Sequence, residues 1–341
     1  MDYDNDGIKD IISGSYDPGD VYLIRGLGNG EYAAVESITD QDGTSLVHHP
    51  TEFKRHLETV AASKNTENKN TENAAESSKE IMDQIASFGS WVTPMDWDDD
   101  GDLDMLIGTF NGELYLRKNV GSREQPEYDG SSEKVLADGK PLREDSHTSP
   151  VAADWDGDGL TDLVVGSGNG SVSWYKNLGS SKFGPRNVLV SAPADSIHLT
   201  QYLYPDEQAA PGPRAQICVH DFNHDGRLDL LVGDCSTKVT LDKSWSPEQK
   251  VAMNQALHVS AAIMKRVAAV EKRFKKKYME AMDDGTLDME ALHQEMEAEM
   301  DKANKVADSM PFSKETDELF VKLPTESKTI SHVWLYLRKS N

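Results

Sequence analysis

Short apolar runs, each followed by a glycine, recur along the chain. They contain two or three Ile, Leu, Val or Met residues and are separated by polar, Gly-bearing segments; they are Ile11-Ile12, Met105–Ile107, Leu163–Val165 and Leu230–Val232. A run of this length and composition, bounded by turn residues, predicts a buried β-strand. The chain is therefore predicted to consist mainly of short strands.

Each run lies inside a larger repeated pattern. A strand-like segment precedes it at Trp91–Met95, Pro150–Ala153 and Ala215–Val219. A Gly-bearing turn, an alternating segment such as Glu113–Leu116 and a less regular one such as Arg186–Val190 follow it. The predicted unit is four antiparallel strands in about 60 residues, which is the size of a β-propeller blade.

A polar loop precedes each run and has the form Asp-x-Asp/Asn-x-Asp-Gly-x-x-Asp, starting at Asp2, Asp96, Asp154 and Asp221. Acidic or amide side chains at loop positions 1, 3, 5 and 9 would repel one another without a cation. Calcium takes six to eight oxygen ligands, including a backbone carbonyl at position 7, and Gly at position 6 allows the sharp turn. Four copies of this loop predict about four calcium ions.

The same loop opening occurs in EF-hands, so the loop alone does not determine the fold. An EF-hand requires a bidentate Glu at position 12 and a helix on either side. Position 12 is occupied here by Ser13, Ile107, Val165 and Val232, which lie in or next to the apolar runs. The loops are therefore predicted to connect strands rather than helices.

Together, the loops and their flanking strands resemble the FG-GAP/VCBS repeat family, whose blades also form the head of integrin alpha subunits. The resemblance implies an all-β fold of about four propeller blades, stabilised by calcium and used for recognition. It also implies a ligand set, by position in each loop: Asp2, Asp4, Asp6, Ile8 and Asp10; Asp96, Asp98, Asp100, Asp102 and Asp104; Asp154, Asp156, Asp158, Leu160 and Asp162; and Asp221, Asn223, Asp225, Arg227 and Asp229. Ile8, Asp102, Leu160 and Arg227 would contribute backbone carbonyls. Asn223 removes one negative charge, so the fourth site is expected to be the weakest.

Two departures from the family lead us to expect that the chain is a piece of a longer protein. Propellers of this kind usually have seven blades, whereas four repeats are visible here. Met1 directly precedes Asp2, so no strand stands before the first loop. Further blades and an export signal are therefore expected upstream.

Two segments break the blade pattern. Residues 48–88 include the low-complexity stretch KNTENKNTEN and are predicted to be a polar, partly helical or disordered insertion. Residues 245–325 begin with the helix start Ser246-Pro247 and have helical apolar spacing, which predicts an antiparallel helical hairpin. The predicted blades are 1–47, 89–145 and 146–213, with a fourth formed by 214–244 and 326–341. This arrangement makes Val239 and Val333 neighbours on adjacent strands.

The composition limits the kinds of partner that the protein is expected to bind. The formal charge is −24; fifteen of the acidic residues are candidate ligands, and four calcium ions would return +8, which leaves about −16. Such a surface argues against nucleic acid and anionic membranes as partners. No apolar stretch is long enough to span a bilayer. Cys218 and Cys235 flank one loop in different registers and are predicted not to pair.

The sequence leaves two functions open. The favoured one is a non-catalytic module that binds a protein or glycan, either secreted or at the cell surface. The alternative is an extracellular carbohydrate-active enzyme, because some polysaccharide lyases use similar calcium-bearing propellers. Trp97 and Trp155, at loop position 2, are predicted to pack between blades rather than to stack on sugars. His220 and His224 are predicted to face solvent rather than to bind metal.

Overall fold

The structure is a computed structural model that describes residues 1–16, 19–47, 89–192, 200–203, 211–240, 288–308 and 326–339, with scattered positions between 266 and 277. The chain divides into two compact units. The first comprises Met1–Ser196, Pro211–Cys235 and Ser331–Asn341; the second comprises Ile197–Ala210 and Ser236–Ile330. The predicted insertion at 48–88 and the predicted helix start at Ser246 lie outside the described residues.

Four antiparallel sheets, which we number in chain order, form the first unit. The first contains β1 (Ile11–Gly14), β2 (Val21–Ile24) and β5 (Glu36–Ser37); the second contains β6 (Ser90–Met95), β7 (Asp104–Thr109), β8 (Leu114–Arg117) and β9 (Glu133–Lys134); the third contains β12 (Ser149–Ala153), β13 (Asp162–Gly166), β14 (Val172–Tyr175) and β15 (Asn187–Val190); and the fourth contains β17 (Gln216–His220), β18 (Asp229–Gly233) and β21 (Val333–Tyr336). Two small hairpins pair β3 (Gly26–Gly28) with β4 (Glu31–Tyr32), and β10 (Leu136–Ala137) with β11 (Lys140–Pro141). Both four-stranded sheets have the predicted strand order, and the acidic loop joins their first two strands.

The apolar runs of the second and third repeats are buried on both faces. Leu106 packs into the core shared by the second and third sheets, whereas Met105 and Ile107 pack into the core shared by the first and second. Val164 similarly faces the fourth sheet, while its neighbours in β13 face the second. This explains why the runs are uninterrupted rather than alternating: each such strand has a sheet on either side.

Successive sheets are joined at the end of each apolar run. The Ser90, Thr148 and Ala215 N–H groups donate to the carbonyls of Ser15, Thr109 and Ser167, at 2.9, 3.0 and 3.0 Å. The glycine that closes each run makes this approach possible, because a Cβ on Gly14, Gly108 or Gly166 would collide with a carbonyl of the next sheet. Strand β6 lies beside β12, and β12 beside β17. Radially repeated sheets with adjacent first strands make the architecture propeller-like.

The second unit contains a separate sheet and a helix. Strand β16 (Thr200–Leu203) pairs in parallel with β19 (Ser236–Thr240), which pairs antiparallel with β20 (Glu326–Ile330). The predicted pairing of Val239 with Val333 is wrong, because Val239 lies opposite Ser327 and Val333 lies opposite Gly233. Val239 and Val333 therefore belong to different sheets.

The helix is α1 (Met289–Asp308), and the described positions between 266 and 277 are also helical. Arg273 pairs with Glu299 at 2.8 Å, and Lys277 pairs with Glu295 at 2.5 Å. From Arg273 to Lys277 the chain advances by four residues, whereas their partners step back from Glu299 to Glu295. The two segments therefore run antiparallel, as the predicted hairpin requires. Arg273 and Lys277 are therefore both paired with acidic residues of α1.

Candidate metal centres

The four acidic loops share one backbone conformation. The position 6 glycines Gly7, Gly101, Gly159 and Gly226 have φ between 84° and 94°, which disfavours any residue with a Cβ. The side chain at position 5 accepts a hydrogen bond from the N–H at position 7. The distance is 2.8 Å between Asp6 and Ile8 in the first loop and 3.1 Å between Asp225 and Arg227 in the fourth. The position 1 carboxylate accepts the N–H of that glycine in all four loops.

Position 9 holds the loop to its sheet. This aspartate is buried in every repeat, and one of its oxygens accepts the N–H of position 2. The other accepts an N–H just beyond the strand that follows the apolar run, which is β2, β8, β14 or β21 and which we call the third strand of each repeat. In the second repeat the donors are Trp97 at 3.0 Å and Asn119 at 2.8 Å. The same pair of bonds recurs at Asp10, Asp162 and Asp229. Sequence reasoning treated position 9 only as a ligand and missed this clamp.

Three loops bring three carboxylates close together. One oxygen from each of Asp2, Asp4 and Asp6 lies within 4.8 Å of the others, and the same holds for Asp96, Asp98 and Asp100 and for Asp154, Asp156 and Asp162. The Oδ1 atoms of Asp2, Asp4 and Asp156 are enclosed yet accept no hydrogen bond from any described residue. Hard oxygen donors with unused lone pairs are what calcium prefers, so the first and third loops fit the ion on both counts, and the second fits it by the convergence of its carboxylates.

The fourth loop differs because Asn223 occupies position 3. Its amide oxygen accepts the Asp225 N–H at 2.9 Å, and its Nδ2 donates to the Asp225 carboxylate at 3.1 Å. The two side chains expected to act as ligands are thus bonded to each other. The backbone carbonyl ligands predicted at position 7 stay a prediction for all four loops.

The profile of the FG-GAP-like repeat family matches twice, at residues 96–165 and 154–232. Both matches begin at the first aspartate of an acidic loop and end within the apolar run of the following repeat. Residues 96–232 contain FG-GAP-like repeats. The family predicted from the loops is therefore confirmed for this region. The comparison with curated proteins found no match.

A basic side chain lies close to an aspartate in each of the four acidic loops. Arg25 bonds to Asp4, Lys118 lies 3.9 Å from Asp98, and Lys176 bonds to Asp156 and, at 2.6 Å, to Asp158. Arg227 pairs with Asp225 at 2.6 Å in the fourth loop. Sequence reasoning missed the first three, although each directly follows the third strand of its repeat.

The pKa values reflect this balance of burial and charge. Burial raises the pKa of Asp104 to about 6, although hydrogen bonds from Asn119 and Trp97 oppose the rise. Burial and the neighbouring Asp100 and Asp104 raise the pKa of Asp102 to about 6 as well. By contrast, hydrogen bonding from Lys176 lowers the pKa of Asp158. A divalent cation among the acidic groups would lower their pKa values, because it favours the ionised form.

The predicted packing of Trp97 and Trp155 between sheets and the predicted exposure of His220 and His224 are confirmed. The Trp97 ring lies 5.6 Å from the Phe183 ring of the next repeat, and Trp155 packs in the core between the third and fourth sheets. His220 and His224 are exposed, and both cysteines are free. No helix in the described part of the chain is long and apolar enough to cross a membrane.

Proposed function

We propose that this protein is a calcium-stabilised, propeller-like recognition module that binds a protein or glycan outside the cell or at its surface. The observation that carries the proposal is the convergence of three carboxylates in each of three loops, together with enclosed oxygens in the first and third loops that no described residue satisfies. The ions would hold each loop in the conformation that its glycine and position 9 clamp prepare. Their contribution would be structural, since the second, third and fourth loops each join the first two strands of their sheet.

The recognition role rests on the repeat family. Domains of FG-GAP-like repeats are generally non-catalytic recognition modules and are typical of extracellular or cell-surface proteins. Extracellular calcium modules work with dissociation constants of about 10⁻⁴ to 10⁻³ M, which suits exposed loops of this kind. The net charge of −24 favours a neutral or basic ligand over nucleic acid.

Calorimetry in calcium and in excess chelator tests the metal. Calcium should raise the melting temperature, since an ion that binds only the folded state stabilises it by mass action. The variant Asp156→Ala should bind one ion fewer, whereas Glu133→Gln, which removes an exposed carboxylate from the same unit, should bind the full number. Identical melting curves in calcium and chelator would overturn the proposal.

The recognition role needs a separate test. Glycan and protein arrays probed with the chain in calcium and in chelator should show a ligand that is lost on chelation, because unpinned loops would disturb the sheets that present the binding surface. Binding unchanged by chelation would separate recognition from calcium. Staining of intact, non-permeabilised cells of the source organism would test the proposed location.

A further inference from the structure

The basic residue beside each of the first three loops occupies one equivalent position. In the sheet registers, Ile11 pairs with Ile24, Met105 with Arg117, and Leu163 with Tyr175. The next residue along the third strand is basic in each case: Arg25, Lys118 and Lys176. Its side chain reaches the carboxylate at loop position 3. Three recurrences of one long-range contact indicate that it belongs to the repeat.

The fourth repeat changes both partners at once. Leu230 pairs with Tyr336, so the equivalent residue is Leu337, and it is exposed. Position 3 of the same loop is Asn223, which carries no charge. The loop's cation is instead Arg227, at position 7, which pairs with Asp225. The third-strand cation is therefore present where position 3 is a carboxylate and absent where it is not.

Lys176 contacts two of the candidate metal ligands of its loop. Its ammonium group bridges Asp156 and Asp158, which are loop positions 3 and 5. Asp156 also belongs to the converging group with Asp154 and Asp162. An ammonium group on these oxygens competes with calcium in two ways, because it occupies their lone pairs and cancels one of the negative charges that attract the ion.

We propose that Lys176 is a resident counter-cation that holds the third loop together without calcium and weakens its calcium affinity. Arg25 performs the same task in the first loop, and Lys118, at 3.9 Å, does so more weakly in the second. Calcium binding is then an exchange, in which the ion displaces a tethered ammonium or guanidinium group. This inference rests on the proposed calcium binding and adds what sets its strength.

Each loop offers its own reporter for the test. The backbone amide of the position 6 glycine donates to the position 1 carboxylate, so the NMR signals of Gly7, Gly101, Gly159 and Gly226 should respond to the ion in their own loops. The variant Lys176→Met keeps most of the aliphatic stem and removes the charge. In a calcium titration of this variant, the calcium concentration at which the Gly159 signal is half shifted should be about tenfold lower than in the wild type. This is the effect of removing one unit of positive charge near the ion. The other three midpoints should stay within twofold.

A second measurement separates this role from a general loss of charge. In chelator, Lys176→Met should melt at a lower temperature than the wild type, because Asp156 and Asp158 lose their shared cation. The matched variant Lys140→Met removes an exposed lysine of the same unit and should change neither the Gly159 midpoint nor the melting temperature in chelator.

An unchanged or weakened Gly159 response in Lys176→Met, with normal calcium responses in the wild type, would overturn the inference alone. A wild type in which none of the four glycine signals responds to calcium would overturn the proposed function and this inference with it. If Lys176→Met fails to fold, Arg25→Met gives the same test through Gly7, and an unchanged Gly7 midpoint would again refute the exchange.

Discussion

The indole N–H of Trp174 donates a hydrogen bond of 3.0 Å to the buried carboxylate of Asp162. The same carboxylate accepts the N–H groups of Trp155 and Asn177, at 3.2 and 2.7 Å. Asp162 thus ties the start of its loop to the end of the third strand and to a side chain of that strand. Position 9 of the loop therefore matters to the fold as well as to the metal.

The first prediction separates these roles. Asp162→Ala should lower the free energy of unfolding by about 3 kcal/mol in chelator, because it leaves buried donors unsatisfied. Asp158→Ala should cost much less in chelator than Asp162→Ala, because that side chain is partly exposed, yet it should abolish calcium binding at the third loop. Denaturant unfolding in chelator and calcium titration provide the measurements. Equal costs for the two variants in chelator would contradict the clamp.

The second prediction concerns the glycines that close the apolar runs. Gly108→Ala should destabilise the protein by about 3 kcal/mol or more, because its Cβ would meet the Thr148 carbonyl of the next sheet. Gly233→Ala is the matched control, since its Cβ would lie 3.6 Å from the nearest atom, the Gln216 carbonyl oxygen. Thermal unfolding of both variants checks the expectation. A Gly108→Ala variant as stable as Gly233→Ala would mean that the sheets tolerate a wider spacing.

The third prediction concerns acid stability. Burial alone would raise the pKa of Glu113, but hydrogen bonds from Tyr115 and Arg143 and the charge of Lys134 lower it to about 2. A lowered folded-state pKa contributes stability that is present above about pH 4.5 and lost as the pH falls toward 2. Glu113→Gln should therefore cost about 2 kcal/mol at pH 7 and progressively less below pH 4.5.

Urea unfolding at several pH values in chelator would measure this dependence. The control is Glu133→Gln, whose side chain is exposed on β9 of the same sheet and whose loss should shift stability little at any pH. A Glu113→Gln penalty that stays constant from pH 7 to pH 3 would exclude the ionised group as its source.

The fourth prediction concerns Arg117, which is fully buried. Its guanidinium group donates to the carbonyls of Val47 and Asp129 at 2.6 and 2.7 Å and lies 3.5 Å from Asp40. Arg117→Lys should cost about 3 kcal/mol despite keeping the charge, because one ammonium group cannot reproduce the planar fork. Chemical denaturation would measure the loss. Full stability of the lysine variant would show that charge alone suffices.

The sequence by itself determined the strands, the loops and the family. Its signals are local, because each loop occupies nine consecutive residues and the apolar run and its turn follow directly. The loop Asp154–Asp162 and the run Leu163–Val165 can therefore be recognised without any long-range information. Repetition then strengthened each local signal, because a chance pattern does not recur with the same flanking strands.

Only the tertiary structure decided how distant residues complete each repeat. Lys176 is separated from Asp156 by twenty positions, and its partner becomes clear only once strand register places the end of β14 beside the loop. The register of β19 with β20 likewise placed Val239 opposite Ser327, which an assumed symmetry among the repeats had paired with Val333. The local sequence pattern determines which residues form strands. Pairing between distant strands depends on the packing of whole sheets, and no single segment of the sequence encodes that packing.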